Sequence, residues 1–258
     1  MSSPRNTPLT ARSVLASVLL GTEPPWLPTP LLVRTAALFG LSEGSTRTAL
    51  SRMVAAGEAL ADAGGYRLAG RLVDRQQRQI ASRQAVVRPW DGTWELATID
   101  GDTRRAAADR VALRRALTGL RLAEQREGVW ARPDNLDPGR SPDSTAVVER
   151  WCTRWRSTRP DPDPGVETLW DLRSWSSQAT DLRRAMASLL EPLQQGDTTA
   201  LADGFVTSAA VLRALQADPL LPPELHPPRW PGSALRADYD TYDTAYRAVL
   251  QAWFQADA

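Results

Sequence analysis

The chain has 258 residues, of which 42% are hydrophobic and 24% charged, and its formal net charge is +1. It contains no lysine, and its single histidine and single cysteine are His226 and Cys152. These features exclude a phosphate-loop lysine, a Schiff-base lysine, a Cys- or His-rich metal site and an intramolecular disulfide, so the composition argues against an enzyme.

The charge is distributed unevenly along the chain. Residues 1–88 carry 11 arginines and five acidic residues, a net charge of +6, whereas residues 89–258 have a net charge of −5. A basic segment on a nearly neutral chain predicts that this end binds a polyanion such as nucleic acid. A general use of arginine in place of lysine would give the same excess, so composition alone leaves both explanations open.

The first apolar segment, residues 13–20, follows two arginines and has to be distinguished from a secretion signal. It contains two serines, and a Pro-Pro-Trp run follows it where a signal would have a small-residue cleavage site. Its apolar residues have helical spacing, and Thr10 can cap the helix. We interpret the segment as a helix and expect a cytoplasmic protein with no membrane partner.

Two more helices are predicted before residue 58. One begins after Thr29, with Pro30 in its first position, and ends at Gly40. The other covers residues 44–56 and ends at Gly57. Because only a short connection separates them, the pair matches a helix-turn-helix.

The third predicted helix carries the candidate DNA-binding side chains. Its apolar residues fall on one face, and its other face carries Ser45, Arg47, Thr48, Ser51 and Arg52. Arginine hydrogen-bonds guanine edges and phosphates, and short hydroxyl side chains permit a close approach to the DNA backbone. A solvent-exposed helix face would carry the same residue types, so the segment alone does not decide between the two interpretations.

A hairpin is predicted directly after this helix. Residues 59–62 and 66–68 have strand character around a Gly64-Gly65 turn. Three helices followed by a hairpin are typical of a winged helix-turn-helix, and Arg67 near the hairpin tip is a further predicted DNA contact. A linking helix follows with four arginines, of which the last two are better explained as plain surface residues: Arg71, Arg75, Arg78 and Arg83.

Six short segments follow one another along nearly the whole chain, namely 10–15 (TARSVL), 44–57 (GSTRTALSRMVAAG), 89–94 (PWDGTW), 128–133 (GVWARP), 218–225 (DPLLPPEL) and 230–232 (WPG). Together they resemble the PaaX family of bacterial transcriptional repressors, which is named for phenylacetate degradation. The resemblance implies a DNA-binding repressor that a small effector releases from its operator. One departure, residues 210–215 in place of the family's His-Glu-aromatic-Arg stretch, leaves the identity and the existence of the effector open.

The middle of the chain is predicted to alternate strands and helices. Strands are expected at 90–99, 120–123, 128–132 and 152–158, and helices at 104–117, capped by Asp102 or Thr103, and at 144–151. This β-α-β-β-α-β order is ferredoxin-like. The resemblance implies the same, because the family's module is similar to a small CRISPR-adaptation nuclease, and it implies a role in forming a dimer.

That similarity raises an alternative, a metal-dependent nuclease that uses Asp100 or Asp102. Phosphodiester cleavage by two metal ions needs several oxygen ligands held together. The carboxylates of this segment are better explained as turn formers and helix caps, and Cys152 as a reduced core residue. We therefore predict no catalytic residue, no metal and no cofactor.

The last third is predicted to be a small all-helical domain. Helices are expected at 169–193, broken near Pro192, and at 205–216 and 239–254. The resemblance implies a small effector such as phenylacetyl-coenzyme A, which needs an apolar pocket and arginine for its phosphates. Core packing is the alternative for the tryptophans among the effector-binding candidates, which are Trp130, Arg132, Trp170, Trp175, Arg213 and Trp230.

The sequence thus predicts an α+β protein of three domains: an N-terminal winged helix-turn-helix at 1–88, a central ferredoxin-like β/α module at 89–166 and a C-terminal all-helical domain at 167–258. The predicted function is a homodimeric repressor of a catabolic operon that binds double-stranded operator DNA and a small effector. Two alternatives remain, a winged helix that docks a protein partner or ligand, and the nuclease.

Overall fold

The computed structural model describes residues 10–22, 24–101, 105–158 and 165–256. The described chain has mixed α+β structure, with helices at both ends and two small antiparallel sheets. It forms two compact units. The first consists of the described parts of Met1–Arg83, Ala179–Gln216 and Ser233–Ala258, and the second of those of Gln84–Gln178 and Ala217–Gly232. The three sequence-based domain boundaries stay predictions.

The N-terminal helices of the first unit are α1 (Ala11–Gly21), α2 (Thr29–Ala37) and α3 (Glu43–Ala55). Thr10 caps α1 as predicted, because its Oγ1 accepts a hydrogen bond from the Ser13 amide at 3.1 Å. Ser42 caps α3 in the same way through the Ser45 amide at 3.2 Å. All three helices bury leucines completely at their shared core, namely Leu15, Leu19, Leu32 and Leu50.

The first unit also contains a three-stranded antiparallel sheet in the order β1-β3-β2. Strand β1 (Trp26–Pro28) lies between α1 and α2, and strands β2 (Ala59–Asp62) and β3 (Gly65–Leu68) follow α3. The hairpin turn is Ala63-Gly64, one residue before the predicted position, and both residues have positive φ (46° and 83°). Gly65 is required in β3 because a Cβ there would overlap the Leu27 carbonyl and the ring of Trp26.

Helix α4 (Arg71–Gln84) begins beside a buried carboxylate. The Glu58 side chain is 1% exposed and forms ion pairs with Arg12 of α1 and Arg71 of α4. The Arg12 Nε lies 2.7 Å from Glu58 Oε2. The hydrogen bond from Arg12 and the further contact with Arg71 lower the pKa of Glu58 to about 2. Glu58 lies three residues after the end of α3, and its ion pairs connect α1 with α4.

The C-terminal helices are α7 (Leu172–Gln194), α8 (Leu201–Ala217) and α9 (Gly232–Gln255). Helix α7 includes Pro192 and ends two residues later at Gln194, close to the predicted break near this proline. Helices α8 and α9 pack closely at Gly204, whose carbonyl accepts a hydrogen bond from the Tyr242 hydroxyl at 2.8 Å. A Cβ at Gly204 would lie 2.8 Å from the ring of Tyr246, so only glycine permits this approach.

The second unit contains a four-stranded antiparallel sheet in the order β5-β6-β4-β7. Its elements are β4 (Trp94–Ile99), α5 (Ala107–Gly119), β5 (Ala123–Arg126), β6 (Val129–Pro133), α6 (Pro142–Trp151) and β7 (Cys152–Ser157). A core of Leu113, Leu117, Trp130 and Val148 joins the two helices to the sheet, and the free Cys152 is buried in it. The two residues predicted to cap α5, Asp102 and Thr103, lie outside the described residues.

A separate core of the same unit contains Trp94, Ala131, Leu172 and Leu221. It holds the proline-rich segment before α9 against the start of α7. Within the described ranges, none of the helices has the length and apolar character needed to span a bilayer.

Candidate functional site

The exposed face of α3 holds five of the six residues predicted to contact DNA. The helical period places Thr46, Ala49, Leu50 and Met53 in the core, so the opposite face is solvent-exposed. The residues on that face are Ser45, Arg47, Thr48, Ser51 and Arg52. They form a continuous polar surface that starts at the N-terminal end of the helix.

The side chains of this face make only local contacts. The Arg47 Nε lies 2.8 Å from Glu43 Oε1, and both side chains are 60% exposed, so the pair contributes about 0–1 kcal/mol. The hydroxyl of Thr48 donates to the Gly44 carbonyl at 2.8 Å, and that of Ser51 donates to the Arg47 carbonyl at 3.1 Å. An anion or a base edge can therefore replace these contacts at small cost.

The sixth predicted residue, Arg67, lies on β3 of the hairpin and is exposed. Its Nε is 3.6 Å from Asp62 Oδ2 across the hairpin. The structure thus brings five predicted residues together on one helix and holds the sixth on a separate element of the same unit.

Three of the candidate effector residues meet in the second unit. The rings of Trp175 and Trp230 stack with centroids 4.4 Å apart and an interplanar angle of 17°. Trp170 is half-buried against the same core, and with Trp175 it lines an open cleft that also contains Pro219. These tryptophans hold the end of the proline-rich segment against the first turns of α7.

Arg132 is fully buried, and side-chain and backbone oxygens of the same unit accept its hydrogen bonds. Its guanidinium donates to Asn135 Oδ1 at 2.7 Å and to the carbonyls of Pro219 and Leu220 at 3.3 and 3.4 Å. Burial lowers its pKa to about 9. Arg132 thereby fixes the proline-rich segment to β6, and its donors point to carbonyls inside the unit.

The two remaining effector candidates lie elsewhere. Trp130 is buried in the core of the second unit, with the Arg114 guanidinium 5.3 Å from its ring centroid. Arg213 is exposed on α8 in the first unit. The six candidates therefore do not form one site.

A cavity that the sequence analysis did not identify lies in the first unit between α1, α4, α8 and α9, and its volume is about 260 Å³. Apolar residues from all four helices form much of its wall, including Val18, Ile80, Phe205, Leu212 and Leu250. This wall makes the cavity suited to an apolar group.

The polar side of the cavity centres on Asp243 of α9. Its Oδ2 accepts hydrogen bonds from Arg83 at 2.9 Å and from Arg247 at 2.8 Å, so the carboxylate is paired. Burial raises the pKa of Tyr239 and Tyr246 in the same wall. The sequence shows that Asp243 lies among tyrosines of α9, but it does not show that three other helices close a cavity around it.

The residues proposed for the nuclease alternative are only partly described. Asp100 Oδ1 accepts a hydrogen bond from the Thr153 hydroxyl at 2.9 Å, which joins the ends of β4 and β7. Asp102 lies outside the described residues. In the described part of the chain, no group of three or more His, Cys, Asp or Glu side chains is arranged to hold a metal ion.

Comparisons with known proteins identify the family. Residues 10–72 match the family model described as PaaX-like protein, and residues 170–256 match that of the PaaX-like protein C-terminal domain. The solved structure of the uncharacterized protein Rv0674 from Mycobacterium tuberculosis is 38% identical, covers 95% of this chain and 98% of its own, and has a TM-score of 0.71. No curated protein matches significantly. The family expected from the sequence is confirmed: this chain belongs to the PaaX-like family of transcriptional regulators.

Proposed function

We propose that the protein is a homodimeric repressor that binds operator DNA through the exposed face of α3 and leaves the DNA when a small effector binds. The observation that carries this proposal is the cluster of two arginines and three hydroxyl side chains on one exposed helix face, opposite the buried core face. Family membership supports the role in transcription.

The first unit supplies the elements of a winged helix-turn-helix. Helices α2 and α3 are joined by a short turn, and the β2-β3 hairpin follows α3 directly. In such a domain α3 enters the major groove and the hairpin lies along the backbone. Arg47, nearer the N-terminal end of α3, then reads a base edge, whereas Arg52 and Arg67 bind phosphates.

The second unit is proposed to act as a ferredoxin-like module that forms the dimer. Its β5-β6-β4-β7 strand order, with two helices packed on one core, supports the ferredoxin-like assignment. Large apolar side chains remain exposed on it, among them Trp155 of β7 and Val111 of α5. A twofold-symmetric dimer would present two copies of the DNA-binding helix α3 to the two halves of an inverted repeat.

Fluorescence anisotropy with labelled DNA from upstream of the protein's own gene tests this function. We expect tight binding that weakens log-linearly with salt, because released counterions dominate the affinity. The variant Arg47→Ala/Arg52→Ala should bind at least about tenfold more weakly. Arg184→Ala is the matched control, since Arg184 is equally an exposed helix arginine of the first unit paired with a nearby carboxylate, Asp181.

Equal affinity of the parent and the double variant would contradict the proposal. Salt-insensitive binding would instead favour the second candidate, a winged helix that docks a protein partner. Divalent-metal-dependent DNA cleavage would favour the nuclease. Release of bound DNA by phenylacetyl-coenzyme A would support the effector that the family resemblance implies.

A further inference from the structure

A second, cationic cleft adjoins the cavity between α1, α4, α8 and α9 within the same unit. The cleft has a volume of about 160 Å³ and is lined by Arg12, Arg75 and Arg213. Four residues line both spaces, namely Ser17, Arg75, Phe205 and Ala209. The apolar cavity and the arginine cleft therefore adjoin each other, and the two together are called the recess.

The positive charge of the cleft is only partly compensated by neighbouring carboxylates of the described residues. Among the described residues, Arg75 and Arg213 form no ion pair, and Arg12 shares the single carboxylate of Glu58 with Arg71. Arg75 is half-buried, and its burial together with the neighbouring Arg213, Arg12 and Arg78 lowers its pKa. A desolvated cation surrounded by other cations is unfavourable unless an anion offsets the repulsion.

We propose that this recess binds a small anionic amphiphile, with its apolar acyl or aryl group in the cavity and its carboxylate or phosphate on Arg75 and Arg213. The cavity of about 260 Å³ accommodates a group of the size of a phenyl ring or a short acyl chain. Arginine suits the other end because its planar donors bind carboxylate and phosphate oxygens in pairs. The inference rests on the proposed repressor function, since it names the site and chemical class of the effector.

The recess also has a physical connection to α3. Arg12 lines the cleft and holds Glu58, whose backbone amide donates to the Met53 carbonyl in the last turn of α3 at 2.9 Å. An anion in the cleft competes with Glu58 for Arg12. Occupancy of the recess thus changes the ion pair at the junction of α3 and the hairpin.

The test is a fluorescence titration of the full chain with 1-anilinonaphthalene-8-sulfonate, an anionic aromatic amphiphile. We expect Arg75→Gln/Arg213→Gln to weaken binding by about tenfold or more, because it removes two charge-assisted contacts. Ala209→Phe keeps every charge but fills the junction of cavity and cleft, and we expect a similar loss. Arg184→Gln is the matched control and should bind within about twofold of the parent.

Competition then identifies the source of the anion. Displacement by phenylacetyl-coenzyme A or by phenylacetate, but not by neutral phenylacetamide, supports the proposal and distinguishes a thioester from a free carboxylate. Equal displacement by the amide, failure of both anions to displace the probe, or unchanged probe binding in both recess variants overturns it.

Operator binding by the same preparations separates the two conclusions. Intact, salt-sensitive DNA binding together with a negative probe result would contradict only the proposed ligand site in the recess. The proposed repressor function would still be supported. Arginine-dependent probe binding without DNA binding would contradict the proposed repressor function and would still support the recess as a ligand site. Far-UV circular dichroism of each variant shows whether the fold is retained.

Discussion

Arg47 on α3 is 60% exposed and makes one ion pair with an equally exposed carboxylate, whereas Arg132 on β6 has no exposed surface and bonds to an amide oxygen and several carbonyls. Water already solvates Arg47, so exchanging Glu43 for DNA costs little. Arg132 is shielded from water, and protein oxygens accept the hydrogen bonds that its guanidinium would otherwise donate to water. Exposure therefore distinguishes the arginine proposed to bind DNA from the arginine that holds the fold together.

Removing Arg132 is the strongest way to test its structural role. We expect Arg132→Ala to lower the free energy of unfolding by about 3–5 kcal/mol, because Asn135 and the carbonyls of the proline-rich segment lose their donor and a cavity remains. Urea denaturation measures the change. Arg126→Ala, at an exposed arginine of β5, should stay within about 0.5 kcal/mol. Similar losses in both variants would contradict the distinction.

Glu58 tests an intermediate case, a buried carboxylate held by partly exposed arginines. Its pKa is lowered from 4.5 to about 2, so its ion pairs stabilise the folded state above pH 4.5 and are lost as the pH falls toward 2. Glu58→Gln should therefore cost about 3 kcal/mol at neutral pH and progressively less below about pH 5. Denaturation at a series of pH values checks this convergence.

The matched control for Glu58 is Glu43→Gln. Glu43 is the exposed partner of Arg47, so its replacement should change stability by less than about 1 kcal/mol. If the stability difference for Glu58→Gln were the same at every pH, the lowered pKa of its carboxyl would not be the source of the effect.

Local structure in the first unit was predictable because it depends on short-range signals. The sequence predicts a helix over residues 44–56 and the observed helix is Glu43–Ala55, because Ser42 caps its first turn and Gly57, with a φ of 67°, follows its end. Strand β1 was missed because three residues that include a proline have no period to detect. Its pairing with β3 is a long-range contact that appears only in the folded chain.

The recess and the role of Arg132 could not be read from the sequence for a related reason. The helical period shows which face of α1, α4, α8 or α9 is apolar, but not that these distant helices share one cavity. For Arg132, the GVWARP motif gives the residue type, whereas the partners that satisfy it are carbonyls of Pro219 and Leu220, more than 80 residues later. Local sequence preferences therefore predict neither the cavity shared by these helices nor the hydrogen bonds of Arg132.

The smallest expected effects come from a comparison within α3, in which each of the exposed arginines Arg47 and Arg52 is replaced by lysine. These substitutions keep the positive charge and change only the geometry of the donors. If Arg47 reads a base edge, Arg47→Lys loses the paired donors and should reduce discrimination between operator and a site altered at one base pair by about 1–3 kcal/mol. If Arg52 binds a phosphate, Arg52→Lys should change affinity by less than about twofold and leave the salt dependence unaltered. Anisotropy titrations with both DNA sites at two salt concentrations measure these quantities. Equal loss of discrimination in the two variants would mean that α3 presents both arginines to bases, and a loss in Arg52→Lys alone would reverse the proposed orientation of the helix in the groove.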